Sequence, residues 1–367
     1  MLSLAVCLAF VVPATAVCLV YLACTLLGVR KIPRWRVGLT KRDPSEPCVF
    51  TILIPAHNEQ TTLPSALRSI AAQDYPPDRV RVLVVADNCM DRTADVALEH
   101  GAECLVRTDV HRIGKGFAIA AGIEFNRLSF RDCVLILDAD CELSPNALRE
   151  LDVVFAAGAE VVQTAVWSRN ADDGPSGYVA AVGAAIDDAV AEGRDHLGLR
   201  VPLRGTGMAL RREVLAKVKW DTASPVEDAE YDSQLRRAGV RVRFCREAVV
   251  WCEAPATVSG LCRQRRRWAL AGPLASKPLL LAHLLAAVAV CFAANAFTLW
   301  AGSLLLATGF VYLQAMAKVG FTRHRLGQLL ATPVVVLRLF GVVILGLVHS
   351  KKLEWDRTPR LGEGRTG

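Results

Sequence analysis

One stretch decides the fold class of this chain: Val134-Leu135-Ile136-Leu137-Asp138-Ala139-Asp140. Its four consecutive apolar residues are typical of a strand that is buried on both faces, as in a parallel sheet. The run ends at two carboxylates, at the edge where open α/β sheets bind their ligands. Acids at that edge favour a divalent cation held against phosphate oxygens. By itself the pattern fits a solvated acidic turn equally well, with Asp140 capping a following helix.

Apolar runs and helical patterns alternate around this stretch. Strand-like runs occupy residues 48–54, 80–85 and 102–106. Helix-like segments occupy residues 61–72 and 93–99, and another follows Gly114-Lys115-Gly116. This β-α-β-α order at short spacing predicts a parallel sheet with helices on both faces.

Polar residues gather where the predicted strands end, and they are Asn58, Glu59, Asp87, Asn88, Asp138 and Asp140. Clusters at successive strand ends predict a pocket rimmed by acceptors, which suits the base and ribose hydroxyls of a nucleoside. The glycines on either side of Lys115 leave its cation free to approach phosphate. That last signal is weak alone, because most lysines in such a pattern are simply solvated.

The two ends of the chain are strongly apolar, and the whole has 53% hydrophobic residues and a mean hydropathy of +0.32. Residues 2–29 contain no charge and are long enough to span a bilayer. A signal peptide is disfavoured because no basic region precedes the run. Basic residues follow it instead, so the positive-inside rule places the remainder in the cytosol. We therefore predict an uncleaved anchor at 1–29 and a basic juxtamembrane linker at 30–47.

The C-terminal third predicts further membrane segments. No charge occurs between Lys277 and Lys318, and one helix of that length would be about 60 Å long, twice what a bilayer needs. A transmembrane hairpin at 278–317 fits better. The apolar stretch 329–348 contains Arg338, so within 318–350 we expect a basic loop and an interfacial or re-entrant segment. Residues 351–367 then form a cytosolic tail.

Charge and cysteine content exclude several classes of protein. The net charge of +7 is concentrated near the membrane segments, which favours contact with anionic membrane lipids and not with nucleic acid. The twelve cysteines include no C-x-x-C pair. With a cytosolic central domain, this predicts reduced thiols and neither a disulfide framework nor a zinc site.

Two further motifs have an ordinary and a functional reading. Glu227-Asp228 precedes a predicted helix at 229–238, where acids favour a helix N-terminus and where a carboxylate also suits a general base. Gln264-Arg265-Arg266-Arg267-Trp268 is either a juxtamembrane basic cluster with an interfacial tryptophan or a functional motif.

Together these motifs resemble one family. I-P-A-H-N-E (54–59), V-V-A-D-N-C-x-D-x-T (84–93), G-K-G (114–116) and L-D-A-D (137–140) resemble the nucleotide-sugar half of a family 2 glycosyltransferase with the GT-A fold. The glycine segment 203–209, E-D at 227–228, Q-x-x-R-W at 264–268 and W-x-x-T-x-R at 355–360 resemble cellulose, hyaluronan and poly-N-acetylglucosamine synthases and ceramide glucosyltransferase-like enzymes. No glycine-rich dinucleotide fingerprint follows the first strand, which counts against a dehydrogenase.

The resemblance implies a fold and a function. The fold is α/β, a GT-A domain at 48–256 whose Rossmann-like mixed sheet has helices on both faces, flanked by transmembrane helices. An interfacial helix carrying Q-x-x-R-W is expected at 257–277. The implied enzyme is a metal-dependent, inverting glycosyltransferase of the inner membrane, with its catalytic domain in the cytosol. It would move a sugar from a nucleotide-diphosphate sugar, a UDP-sugar being the expected donor, to a membrane-associated glycan or lipid acceptor.

The resemblance also assigns roles to residues. Asp228, with Glu227 beside it, would be the general base. Asp138 and Asp140 would hold Mg²⁺ or Mn²⁺. The nucleotide sugar would be bound by Pro55, Ala56, Glu59, Asp87, Asn88, Lys115, Asp138 and Ala139. The acceptor and diphosphate would be bound by Gly205, Thr206, Gly207, Gln264, Arg267 and Trp268.

Alternatives remain open within and outside this class. The acceptor reaction is either processive polymer synthesis or a single addition to a polyprenyl-phosphate or other lipid, and no residue names the donor sugar. A catalytically silent nucleotide-sugar-binding membrane scaffold is disfavoured by the intact Asp138, Asp140, Asp228 and Arg267.

Overall fold

A computed structural model describes residues 2–29, 47–126, 133–222, 224, 226–255, 257–268 and 296–348. The chain divides into two compact units. We call Lys31–Trp167 with Leu197–Glu253 the sheet unit, and Met1–Arg30, Ser168–His196 and Ala254–Gly367 the helical unit. Ser168–His196, which lies inside the predicted continuous domain at 48–256, thus belongs to the helical unit.

The strands form one eight-stranded sheet in the order β3-β2-β1-β4-β7-β6-β8-β5. They are β1 (Phe50–Ala56), β2 (Val80–Asp87), β3 (Glu103–Arg107), β4 (Cys133–Ile136), β5 (Glu142–Leu143), β6 (Val161–Ser168), β7 (Met208–Arg211) and β8 (Val242–Cys252). Strand β1 runs parallel to β2 and β4, and β2 runs parallel to β3. Strand β7 is antiparallel to β4 and β6, and β5 is antiparallel to β8. The sheet is therefore mixed.

The helices alternate with these strands and then continue alone towards the C-terminus. They are α1 (Leu2–Val29), α2 (Leu63–Ala71), α3 (Thr93–Glu99), α4 (Lys115–Asn126), α5 (Ala147–Ala156), α6 (Pro175–His196), α7 (Arg212–Lys217), α8 (Glu227–Arg237), α9 (Val258–Trp268), α10 (Ala296–Val319), α11 (Arg323–Leu329) and α12 (Thr332–Val348). A short 3₁₀ turn, Pro77–Arg79, leads into β2.

Helices cover both faces of the sheet. Because side chains alternate along a strand, Ile52 of β1 packs in one core cluster with Leu63 of α2. Leu53 points the other way, towards α4, where a Cβ on Gly122 would lie 2.5 Å from its Cδ1. Strand β4 is buried throughout, which explains its unbroken apolar sequence. The expected α/β architecture is confirmed.

Two local predictions change in detail. The predicted helix at 229–238 begins earlier, so Glu227 and Asp228 lie in the first turn of α8. The segment after Asp140 enters β5 and not a helix, so the reading of Asp140 as a helix cap is wrong.

The helical unit contains the apolar segments. Among the described residues, Gly302–Val319 within α10 is the one helix long and apolar enough to cross a membrane, and Thr15–Gly28 is a shorter apolar helix. Helix α1 packs closely on α6, since a Cβ on Gly193 would lie 2.0 Å from the backbone oxygen of Cys24.

The membrane topology of these segments stays a prediction. The first limb of the predicted hairpin, most of the linker at 30–47 and the tail at 351–367 lie outside the described residues. The stretch 329–348 is largely helical as α12, and its interfacial position also stays a prediction.

Candidate active site

Lys115 joins three segments that are distant in sequence. Its Nζ lies 2.6 Å from Asp138 Oδ1 after β4, and 3.3 Å from Glu227 Oε1 on α8. It also donates a 2.8 Å hydrogen bond to the backbone oxygen of Gly205. Only 20% of the Lys115 side chain is exposed. The lysine that the sequence leaves as a weak signal is therefore the centre of a charged cluster.

The lysine is held in its charged form. Burial acts to lower the pKa of Lys115, but the carboxylates of Asp138, Glu227 and Asp228 outweigh it and raise that pKa above its ordinary value. Opposite charges a few ångströms away favour the cation in this way. The Lys115 side chain therefore stays positively charged at neutral pH.

The carboxyl of Asp228 has a raised pKa. Burial raises the pKa of Asp228 to about 7, the negative charge of Glu227 adds to the rise, and Lys115 opposes it. A carboxyl with a pKa near the operating pH is suited to accept a proton in a transition state. The acid beside it, Glu227, is buried in the first turn of α8.

Gly205 brings the backbone of the loop before β7 close to these charges. Its φ of +83° is a left-handed conformation, which glycine adopts without steric cost. A Cβ built on it would lie 3.5 Å from both Asp228 Oδ2 and Lys115 Nζ. The loop therefore lies directly against the candidate base.

The acids after β4 form a candidate metal centre. Donor atoms of Asp138, Asp140 and Cys141 lie within 4.8 Å of one another. The backbone N–H of Asp138 donates to Thr206 Oγ1 at 3.1 Å, which fixes the start of the acidic turn. Carboxylate oxygens suit Mg²⁺ and Mn²⁺, whereas a thiol suits softer ions. The two aspartates fit the predicted ion, and Cys141 does not add to that fit.

A buried glutamine fixes the glycine loop to the sheet. Gln163 Nε2 donates to the backbone oxygen of Thr206 at 2.8 Å, and Gln163 Oε1 accepts from the backbone N–H of Arg204 at 2.9 Å. Gly207 N–H donates to the Ile136 oxygen at 2.9 Å. The sequence motifs give Gln163 no role, although a polar residue inside an apolar strand is a usable signal.

Replacing Gly207 by Ala is expected to destabilise the sheet unit strongly. A Cβ there would lie 1.9 Å from Thr164 Oγ1, at a φ of +65°. The left-handed conformation alone costs about 1–2 kcal/mol for alanine, and the overlap adds about 1–3 kcal/mol. Gly239→Ala is the matched control, because its φ is +71° and nothing lies within 4 Å. Thermal unfolding should show the larger loss for Gly207→Ala, and equal losses would contradict the packing argument.

A second group lies at the ends of β2 and β3. Asp87 is buried, and its Oδ1 accepts from Arg107 Nη1 at 2.5 Å and from Asn88 Nδ2 at 3.2 Å. Asn88 has a φ of +51°, and its Oδ1 accepts from the Asp109 N–H at 2.8 Å. Arg107 belongs to none of the sequence motifs. It is the last residue of β3, so its place at the same sheet edge was the available signal.

The residues after β1 shape the start of α2. Pro55 and Ala56 end the strand, and Asn58 has a φ of +55°. The backbone oxygen of Glu59 accepts from the Leu63 N–H at 2.9 Å, and the Glu59 carboxylate accepts from the Thr62 hydroxyl. Glu59 thus has a structural partner at the helix start, and its donor-binding role stays a prediction.

The Q-x-x-R-W motif belongs to the helical unit. Gln264 lies on α9 and is half-buried, whereas the side chains of Arg267 and Trp268 lie outside the described residues. Ala139, between the two aspartates, is buried. Roles for these four residues at the donor or acceptor stay predictions.

The fold has a solved counterpart. A mannosyltransferase from Pyrobaculum calidifontis, PcManGT, solved in complex with GDP-Man and Mn²⁺, superposes with a TM-score of 0.57 at 18% identity and covers 95% of this chain and 99% of that one. Identity at this level shows the fold alone, and it supports the expected GT-A fold.

The family follows from sequence comparison. A family model described as glycosyltransferase like family 2 matches residues 47–271, and this chain belongs to that family. The expected class of transferase is confirmed.

Curated relatives support the same family. One is the probable glycosyltransferase YdaM of Bacillus subtilis (strain 168), 30% identical over 65% of this chain and 58% of the relative. Another is a β-monoglucosyldiacylglycerol synthase of Synechocystis sp., 27% identical over 60% of this chain and 47% of the relative. A third is the poly-β-1,6-N-acetyl-D-glucosamine synthase of Staphylococcus epidermidis, 23% identical over 66% and 59%. The chain spans about half to three fifths of the length of these relatives.

Proposed function

We propose that this chain is an inverting glycosyltransferase that moves a sugar from a nucleotide-diphosphate sugar to a membrane-associated acceptor. The transfer contributes to polysaccharide or glycolipid assembly in the cell envelope. The observation that carries the proposal is the position of the Asp228 carboxyl against Lys115 and the glycine loop, where a Cβ on Gly205 would lie 3.5 Å from both Asp228 Oδ2 and Lys115 Nζ. Desolvation at this position raises the pKa of Asp228 to about 7. A solvated helix-start aspartate would keep an ordinary pKa near 4.

Asp228 acts as the general base. Its carboxylate takes the proton of the acceptor hydroxyl while the hydroxyl oxygen attacks the anomeric carbon of the donor. The bond between that carbon and the diphosphate oxygen breaks on the opposite side, so the product has inverted configuration. The raised pKa of Asp228 makes its carboxylate a stronger base than an exposed aspartate.

The ends of the parallel strands bind the donor nucleotide. Asp87 and Asn88 hold the base, with Pro55, Ala56 and Glu59 forming the neighbouring wall. Arg107 orients Asp87 through their 2.5 Å hydrogen bond. Asp138, with Ala139 beside it, holds the ribose or shares the metal. Lys115 supports the phosphates.

Asp140 is the proposed metal ligand, and Asp138, whose Oδ1 lies 2.6 Å from Lys115 Nζ, holds the ribose or shares the metal. The ion expected there is Mg²⁺ or Mn²⁺, and when bound it supplies Lewis-acid neutralisation of the charge on the leaving diphosphate. The complex of PcManGT with GDP-Man and Mn²⁺ supports this choice. In this arrangement Lys115 contributes a second positive charge to the same phosphates.

Two sequence motifs are assigned to the acceptor. Gly205, Thr206 and Gly207 let it approach the base, and Gln264, Arg267 and Trp268 bind it together with the diphosphate. The apolar span Gly302–Val319 supports an integral protein of the inner membrane with a cytosolic catalytic domain. Membrane lipids are then its surroundings.

Single addition to a lipid is the second candidate. It is favoured by the β-monoglucosyldiacylglycerol synthase and by an undecaprenyl-phosphate 4-deoxy-4-formamido-L-arabinose transferase of Serratia proteamaculans, which is 34% identical over 31% of this chain. The poly-β-1,6-N-acetyl-D-glucosamine synthase supports processive synthesis instead. The size of the labelled product distinguishes the two, since a single addition yields one glycolipid and a processive enzyme yields a polymer ladder.

A donor screen tests the proposal. Purified full-length protein in native-like membranes is incubated with UDP- and GDP-sugars and either Mn²⁺ or Mg²⁺. We expect release of nucleoside diphosphate, and label in the lipid or polymer fraction, with one donor and only when metal is present. Binding of nucleotide sugar without metal and without release of nucleoside diphosphate would identify a silent scaffold.

A further inference from the structure

Two cysteines lie opposite each other next to the acidic turn. Strand β5 pairs with β8 in the register Glu142↔Trp251 and Leu143↔Val250. One step further along the same register places Cys141 opposite Cys252. Residues that are directly opposed in an antiparallel pair point to the same face of the sheet. Cys141 accordingly belongs to the buried apolar cluster of the sheet unit, and Cys252 packs against that cluster.

Cys141 and Cys252 form the closer of the two kinds of residue pair in an antiparallel sheet. The backbone N–H of Ser144 donates to the Val249 oxygen at 2.8 Å, which marks that pair as hydrogen-bonded. Hydrogen-bonded and non-hydrogen-bonded pairs alternate, so 141 and 252 form a non-hydrogen-bonded pair, whose Cα atoms are about 4.5 Å apart. A disulfide needs a Cα separation of about 4.4–6.8 Å. The backbone therefore permits a bond without a change of register.

We propose that Cys141 and Cys252 are a redox modification site, which closes to a reversible disulfide in the presence of a peroxide. Transient, redox-sensing disulfides are the kind found in cytosolic proteins. Cys252 is half-buried and Cys141 is 1% exposed. The oxidant therefore reaches Cys252 first, and Cys141 lies behind it as the resolving thiol.

The chemistry needs only the peroxide. The Cys252 sulfur attacks one oxygen of hydrogen peroxide, becomes a sulfenic acid and releases water. The Cys141 sulfur then attacks that sulfenic sulfur, the disulfide forms and a second water leaves. Two thiols lose two hydrogens in total and the peroxide is reduced to two waters. A dithiol reductant reverses the bond by thiol–disulfide exchange.

The disulfide would reach the candidate metal centre through one hydrogen bond. The Cys141 thiol donates to Asp140 Oδ1 at 3.7 Å, and a disulfide sulfur has no proton to donate. A hydrogen bond of this kind contributes about 1 kcal/mol, which corresponds to about a fivefold change in rate. We expect about a fivefold, reversible fall in sugar transfer, and this effect alone rests on the proposed function.

The test maps the disulfide directly. Full-length protein is treated with hydrogen peroxide, free thiols are blocked with iodoacetamide, and tryptic peptides are analysed by tandem mass spectrometry. We expect a linked peptide joining Cys141 to Cys252, two hydrogens lighter than the two thiol peptides together, that disappears on reduction. Fragment ions separate Cys252 from Cys262 and Cys141 from Cys133, because each of these two pairs shares a tryptic peptide.

Matched variants make the test decisive. Cys252→Ser should abolish the linked peptide, whereas Cys104→Ser should retain it, because half-buried Cys104 faces Val84 across the β2–β3 pair.

Over-oxidation of Cys252 with no linkage, or linkage of Cys141 to another cysteine, would overturn the proposal. If the protein transfers no sugar in either redox state, the proposed function fails while the mapped disulfide stands. A linked protein with unchanged turnover would overturn the coupling to Asp140.

Discussion

Asp228→Asn is expected to lower sugar transfer by about 10²–10⁴-fold, which is the usual contribution of a general base. Asparagine keeps the shape of the side chain but cannot accept the proton of the acceptor hydroxyl. The measurement is the rate of labelled sugar transfer at saturating donor, together with donor affinity by calorimetry. We expect the donor affinity to change little, because donor binding is assigned to other residues.

Two controls separate loss of the base from loss of the fold. Asp221→Asn removes an exposed carboxylate shortly before α8 and should leave transfer unchanged. The melting temperature of Asp228→Asn should equal or exceed that of the parent. The reason is that the pKa of Asp228 is higher in the fold, at about 7, than in the unfolded chain, where it is near the ordinary value of 3.8. Ionisation of Asp228 therefore lowers the stability of the fold as the pH rises between these two values, and the loss is complete above the higher one. Retained turnover in Asp228→Asn would exclude Asp228 as the general base.

The pH dependence gives an independent measure of the same residue. Asp228 can accept a proton only in its ionised form. The value of kcat/KM should therefore rise with pH up to about 7, the pKa of that carboxyl, and then level off. Lys115→Met should move the rise to higher pH, because Lys115 lowers the pKa of Asp228. A profile that is flat from pH 5 to 8, or a shift to lower pH in Lys115→Met, would contradict the assignment.

Asp140→Asn is expected to lower transfer by about 10²-fold or more, since a bound metal contributes several kcal/mol of charge stabilisation and each 1.4 kcal/mol is tenfold in rate. Asparagine retains one oxygen but loses the negative charge. Manganese binding measured by electron paramagnetic resonance should weaken in parallel. That readout does not depend on turnover.

The matched control for Asp140 is Asp78→Asn, which neutralises a carboxylate that is 78% exposed. It should leave manganese binding and transfer unchanged. If Asp140→Asn bound manganese as tightly as the parent, the acidic turn would not be the metal centre. If Asp138→Asn weakened manganese binding more than Asp140→Asn, Asp138 and not Asp140 would be the main metal ligand.

Local patterns made the parallel half of the sheet predictable. The run before Asp138 is buried on both faces as β4, and helix 93–99 is α3 with the same bounds. Such patterns depend on periodicity within one segment, which a sequence displays directly. Whether the strand-end acids bind a donor is a separate question that the experiments above address.

The contacts between distant segments were not predictable. Lys115 meets Gly205 across 90 positions of sequence, and Gln163 meets Thr206 across 43. No spacing rule indicates which lysine or glutamine finds such a partner. The same limit applies to Ser168–His196. This segment belongs to the helical unit, but no change in its sequence pattern marks it as separate from the sheet unit.

The close crossing of α1 and α6 bears on how this protein can be prepared. Cys18 and Cys24 of α1 share one apolar cluster with Tyr178 and Ile186 of α6. A truncation that starts after Val29, the usual way to obtain a soluble enzyme from an anchored one, would uncover that surface. Uncovered apolar patches promote aggregation. The N-terminal helix therefore covers an apolar surface of α6, and shortened versions should keep it and rely on detergent or nanodiscs for solubility.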